Sequence, residues 1–193
     1  NQLNQALAIQ SGLTTSFPAS SLGNQLRMVA NMMSARNALG TSRQIFFCAM
    51  NGFDTHTNQL TTQANLLSDL DASLKAFHSA TVELGIESAV TTFTHSDFGR
   101  TFQPTAGGGS DHAWGSHHLV MGGSVRGGSL YGQYPSLEVS GPNDADSEGR
   151  WVPTTGVCEF VYPLIRWFGA NNIPEVLPNL SNFNLSRGDL NYL

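Results

Sequence analysis

Asp54 and His56 lie two apart in "NGFDTH", Asp97 and Arg100 three apart in "SDFGR", and Asp111, His112, His117 and His118 crowd the stretch "GGGSDHAWGSHH". Side chains at i and i+2 of an extended backbone point the same way, so Asp54 and His56 are placed to chelate one ion. Mixed carboxylate and imidazole ligands are what zinc, manganese or iron sites use, and the lack of any CxxC spacing argues against a structural zinc knot. A guanidinium beside such ligands suits a phosphate, sulfate or carboxylate, because its planar fork binds oxyanions bidentately; this is the role read for Arg100. Each feature has a plainer alternative. Asp54 could cap the following helix with His56 on the surface, and Asp97 could pair with Arg100 merely to pin their loop. His78 and His95 read as structural. The sequence contains no GxSxG elbow, no GxxxxGK loop and no GxGxxG opening a helix, and a Ser-His-Asp triad drawn through Ser96 or Ser110 has no local signature.

The elements that must position these residues are set by periodicity. Leu22, Leu26, Val29, Ala30 and Met33 recur at helical spacing and predict an amphipathic helix over 21–38, stopped by Gly40. "RQIFFCAM", residues 43–50, is a short apolar run of the kind found in a strand covered on both faces. Leu60, Gln63, Leu67, Leu70, Leu74, Phe77, Thr81 and Leu84 define a long helix over 58–85, ending at Gly85. "ESAVTTFT", residues 87–94, predicts a second strand. Strand, helix and strand in that order form a βαβ unit with parallel strands, so "NGFDTH" and "THSDFGRT" are expected at one edge of the sheet. Further on, "HHLVMGG" is a strand between Gly-rich loops, and Trp114 and Trp151 either wall a pocket or pack the loop down. A last helix is expected in "TTGVCEFVYPLIRWFG", capped by Thr154 or Thr155, kinked at Pro163 and stopped at Gly169.

With 193 residues the chain suits one domain. A net charge of −5, with Lys75 the only lysine, argues against a nucleic-acid partner, which would want a basic face. No apolar run reaches the roughly 18 residues a membrane span needs, and no signal peptide is evident. Cys48 and Cys158 are either two core thiols or one long-range disulfide. The chain opens on "NQLNQALAIQ" without a Met and reads as the later part of a longer protein.

Together, "RQIFFCAMNGFDTH", "VTTFTHSDFGRT", "GGSDHAWGSHHLVMGGSVRGG", "LYGQYP" and "RWVPTTGVCEFVYPLIRWFG" resemble the DUF1501 proteins, a bacterial family placed in the alkaline phosphatase-like superfamily. The resemblance runs from Leu22 to Phe183. It implies an α/β fold with a largely parallel sheet and helices on both faces. It also implies an exported, periplasmic or extracellular protein with a twin-arginine signal, of which this chain is the carboxyl-terminal half, partnered by its own amino-terminal part. The implied activity is metal-dependent hydrolysis of a small anionic phosphate or sulfate ester, with one or two divalent ions such as zinc or manganese. Asp54 and His56 resemble the first Asp/His ligand pair, more tightly spaced than is usual. Asp97 resembles the aspartate of an Asp-His-Gly motif in which Phe98 replaces the histidine. His112, with His117 or His118, resembles the late histidine ligand, and Asp111 stands beside it. By the same resemblance the nucleophile comes from strands preceding this chain. The expectation is therefore an ester hydrolase in which Arg100 holds the anion; the alternative is a catalytically degenerate member that uses the fold for extracellular binding or assembly.

Overall fold

A computed structural model describes residues 12–183 and 190–193. The chain divides into two compact units, Asn1–Val90 and Thr91–Leu193.

The first unit is built on two helices. Helix α1, Ser21–Ser34, starts where the Ser20 hydroxyl accepts the Gly23 N–H at 3.0 Å, the usual satisfaction of an orphan donor at a helix start. It ends four residues sooner than expected; Ala35 leaves helical geometry, and a short helix α2, Arg36–Leu39, carries the chain to Gly40, whose φ of 64° lies in the left-handed region that favours glycine. Helix α3, Gln59–Glu83, matches the long helix expected over 58–85, and Gly85 comes after it at φ 64°. Leu22, Leu26, Val29 and Ala30 of α1, Ala35 just after it, and Ala76, Phe77 and Ala80 of α3 are the unit's buried apolar residues, and the two helices pack on one another. At the far end of α3 the Glu83 carboxylate receives the N–H and hydroxyl of both Thr14 and Thr15 at 2.5–2.9 Å. These bonds, that from the Thr15 hydroxyl foremost, hold its carboxyl down at about 2.

The second unit is a set of nested antiparallel ladders closed by a helix. Strand β1, Thr91–Phe93, pairs with β4, Val120–Gly122, with Thr91 opposite Gly122 and Phe93 opposite Val120. The ladder continues one step further, since Thr94 N–H donates to the Leu119 carbonyl at 3.0 Å and Leu119 N–H to Thr94 Oγ1 at 2.9 Å. Inside it lies a second ladder, β2, Gly99–Arg100, against β3, His112–Ala113. Extending the outer register sets His95 opposite His118, which leaves three residues (96–98) on one arm and four (114–117) on the other before Gly99 meets Ala113. One arm thus carries an extra residue, as in a β-bulge. Helix α4, Val157–Phe168, comes next, with Gly169 at φ 89° as its stop. Gly156 is its N-cap rather than Thr154 or Thr155: the Glu159 carboxylate accepts the Gly156 N–H at 2.7 Å, and the Thr154 hydroxyl donates instead to the Gln133 carbonyl. Pro163 lies inside the helix. Leu164, Leu190 and Tyr192 form the buried cluster, with Val120 and Phe160 packed against it. Two short segments, helix α5, Ile173–Val176, and a 3-10 turn, Leu180–Asn182, complete the described chain.

The expected α/β fold, a largely parallel sheet with helices on both faces, is corrected by this architecture. Among the described residues the sheets are two-stranded, short and antiparallel. Residues 43–50 alternate between exposed and half-buried, as an extended chain does, yet join no ladder. The predicted second strand does form at Thr91–Phe93, but pairs with the "HHLVMGG" segment later in the chain. No βαβ unit results, because residues 43–50 join no ladder and Thr91–Phe93 pairs antiparallel with Val120–Gly122. Closing a loop onto a strand nearby in sequence costs less chain entropy than a long crossover. Cys48 and Cys158 are free thiols, and burial pushes the Cys48 thiol up. No helix among the described residues is long and apolar enough to cross a membrane.

Candidate functional site

In the first unit, the loop after the extended segment carries Asp54 and His56 on either side of the buried Thr55. Thr55 fixes the loop: its N–H donates to the Phe53 carbonyl at 2.9 Å, and its hydroxyl bonds the Gln59 and Gln63 side chains at 3.1 Å. The flanking side chains therefore stand together in solvent, with His56 Nε2 2.9 Å from Asp54 Oδ1. Asp54 does not cap α3; that position belongs to Asn58, at φ 55°.

In the second unit the remaining candidates separate into two groups. The first is on the β2–β3 hairpin. Arg100 donates from Nε to Ser110 Oγ at 3.2 Å and from Nη2 to the Ser110 carbonyl, and its guanidinium lies 5.7 Å from the centre of the Phe98 ring. Phe98 in turn stacks on His112 with centroids 4.1 Å apart. Thr101 and Asp111 close the hairpin through two bonds of 2.9 Å, and Arg150 Nε donates to the His112 carbonyl at 2.8 Å. Gly99 is required here: a Cβ would come within 2.1 Å of the Gly115 carbonyl oxygen. Asp111, His112 and Asp97 are exposed, and among the described residues no ion pair joins Asp97 to Arg100. Ser110 is buried and bonded to Arg100, and Ser96 turns its hydroxyl to the Phe98 carbonyl at 3.0 Å, so neither is presented as a nucleophile.

The second group is aromatic. His118 stacks on His95 at 5.6 Å and on Phe160 at 5.3 Å, while His117 faces Tyr134 at 5.3 Å. Half-burial, then the neighbouring His95 and His117, push the His118 imidazole below its ordinary value, so the neutral ring is favoured. Phe160 also meets Phe93 and Tyr192, whose hydroxyl donates to the Phe160 carbonyl. Trp151 is buried and accepts the Gly115 N–H at 3.1 Å, packing the loop down, whereas Trp114 is exposed.

A family model described as a protein of unknown function, DUF1501, matches residues 2–145. The chain belongs to the DUF1501 family. No curated protein and no solved structure matches it significantly. The DUF1501 match takes in Arg100 and every residue read as a metal ligand, and stops before Trp151 and α4.

Two features of this DUF1501 chain have little or no signature in the sequence. Phe160 is the ring that holds His118, and it lies more than forty residues away with no local motif to announce it. Asp144 accepts the backbone N–H groups of Ser140, Asp146, Gly149 and Arg150 at 2.9–3.4 Å and so organises the 140–150 loop. The run "NDADSEG" is the one available signal, since Asp in such a stretch folds back on its own backbone.

Proposed function

We propose that this DUF1501 chain belongs to a divalent-metal-dependent hydrolase of phosphate or sulfate esters, exported from the cell. The Asp54–His56 pair carries the metal part of this reading: a carboxylate oxygen and an imidazole nitrogen 2.9 Å apart suit two ligands on one ion with bonds of about 2.0–2.2 Å. Zinc or manganese fits that mixed donor set. A bound ion would act as a Lewis acid on the ester oxygen. The substrate class rests on the resemblance to alkaline phosphatase-like proteins. Arg100 is the cation read as favouring an anionic ester; its bonds to Ser110 fix the guanidinium's orientation in advance.

A second reading is favoured by Phe98. The residue standing where the resembling motif has a histidine stacks on His112 at 4.1 Å and has no ligand atom, which suits a member that binds without catalysis. Metal content measured after equilibration with zinc or manganese, together with assays of aryl phosphate, phosphodiester and sulfate ester hydrolysis, separates the two. Bound metal that is lost in Asp54→Ala and His56→Ala, with turnover in the intact protein, supports the hydrolase. Bound metal without turnover favours the second reading. No bound metal, or metal retained in both variants, sinks the assignment of this pair as ligands.

A further inference from the structure

The loop ahead of the Asp54–His56 pair holds the chain's only Asn-Gly step, Asn51–Gly52. It hangs between two anchored points. On one side the Gln25 side chain accepts the Ala49 N–H and donates to the Ala49 carbonyl, both at 2.9 Å. On the other, the buried Thr55 is bonded to Phe53, Gln59 and Gln63. Asn51 and Gly52 stand between them in solvent. Among the described residues nothing accepts the Gly52 N–H, and nothing bonds the Asn51 side-chain amide. Gly52 sits at φ 104°, a conformation open to glycine, and it has no side chain to screen its own nitrogen. Asparagine side chains reach readily to the backbone of the residues that follow, and here that reach meets a main-chain nitrogen with no other protein partner. Asn143 is the contrast: its Oδ1 accepts the Ser136 N–H at 2.9 Å, and the N–H of the next residue, Asp144, donates to the Gly141 carbonyl at 3.1 Å.

We propose that Asn51 is a site of spontaneous deamidation, which converts this loop to an isoaspartate or aspartate form directly ahead of Asp54 and His56. The Gly52 main-chain nitrogen attacks Asn51 Cγ; the new N–Cγ bond closes a succinimide ring as the Cγ–Nδ2 bond breaks. Ammonia leaves, carrying the proton that the Gly52 nitrogen gives up. Water then opens the ring. Addition at Cγ restores the original main chain with an aspartate at 51, whereas addition at the Asn51 main-chain carbonyl leaves the chain running through the side-chain carboxyl carbon. Nothing is oxidised or reduced, and water is the only co-reactant. Either product replaces a neutral amide by a carboxylate three residues before Asp54, and the isoaspartate also lengthens the backbone of the loop by one atom.

The test is timed incubation of the folded 193-residue chain in warm, mildly alkaline buffer, followed by peptide mass mapping and enzymatic detection of isoaspartate. Asn51 is expected to convert about tenfold or more faster than any other asparagine, Asn143 included, a barrier lower by about 1.4 kcal/mol or more. A smaller lead overturns the proposal. A peptide of residues 48–56, incubated alongside, gives the rate without the fold; the folded chain is expected to convert within about tenfold of it, and stronger protection shows that the loop withholds Asn51 and overturns the proposal equally. Conversion should also appear as a more acidic species on anion exchange. Asn51→Gln, whose longer side chain would have to close a larger ring, is expected to lose that species while keeping the circular dichroism of the parent, because position 51 is exposed. An acidic species that accumulates unchanged in Asn51→Gln arises elsewhere and removes Asn51 as its source. None of these readouts depends on whether Asp54 and His56 bind a metal.

Discussion

Phe47 and Phe93 lie in segments of similar composition, and their surroundings differ sharply. Phe47 is 91% exposed on a chain segment with no ladder partner, whereas Phe93 sits on β1, paired with β4, its ring edge-on to Phe160 at 6.0 Å. Both runs are rich in β-formers. The difference arises further along the chain: a few dozen residues after Phe93 the backbone returns as Val120–Gly122, whereas after Phe47 it enters the long helix α3. β-propensity makes a segment extended, and a ladder then depends on a neighbour that the segment does not itself specify.

The strongest test of that contrast is Phe160→Ala, which removes the ring against which Phe93, His118 and Tyr192 pack. It is expected to cost the second unit about 3 kcal/mol, read from denaturant unfolding. Gly99→Ala should come next with about 2 kcal/mol, since its methyl meets the Gly115 carbonyl; chemical-shift changes confined to the β2–β3 hairpin would locate the damage. The pH response is smaller. The folded-state value for His118 lies below its ordinary 6.5, so the unfolded chain takes up the proton first, and the second unit should lose stability as pH falls from about 6.5 towards that lower value. His118→Phe should flatten this part of the thermal-melting profile, and an unchanged slope would remove His118 as its cause. Least of all, Phe47→Ala is expected to shift unfolding by no more than about 0.5 kcal/mol. A loss approaching that of Phe160→Ala would show that the exposed segment is packed after all.

Local signals are legible where one segment decides the outcome. The stripe from Leu60 to Leu84 marks α3 almost to its ends, and Gly40, Gly85 and Gly169 all stop helices in the left-handed conformation. Long-range pairing is not legible: Thr91–Phe93 reads equally well as a parallel or an antiparallel strand until Val120–Gly122 is seen beside it. For the candidate site, the spacing of Asp54 and His56 is enough to bring their polar atoms together, because one buried threonine between them sets the geometry. The grouping of the later histidines lies beyond sequence reasoning. His118 is placed by Phe160, and His112 by the ring of Phe98.

The extra residue in the 114–117 arm has a consequence for chemistry. In an uninterrupted strand His112 and His118, an even number of positions apart, would look out from the same side. One added residue reverses that alternation, and His112 and His118 stack on different rings, Phe98 and His95. One of these imidazoles stacks on Phe98 beside the Arg100 guanidinium, and the other is held between His95 and Phe160, where half-burial lowers its pKa. A one-residue deletion in that arm would restore the even alternation between His112 and His118 without altering a single histidine.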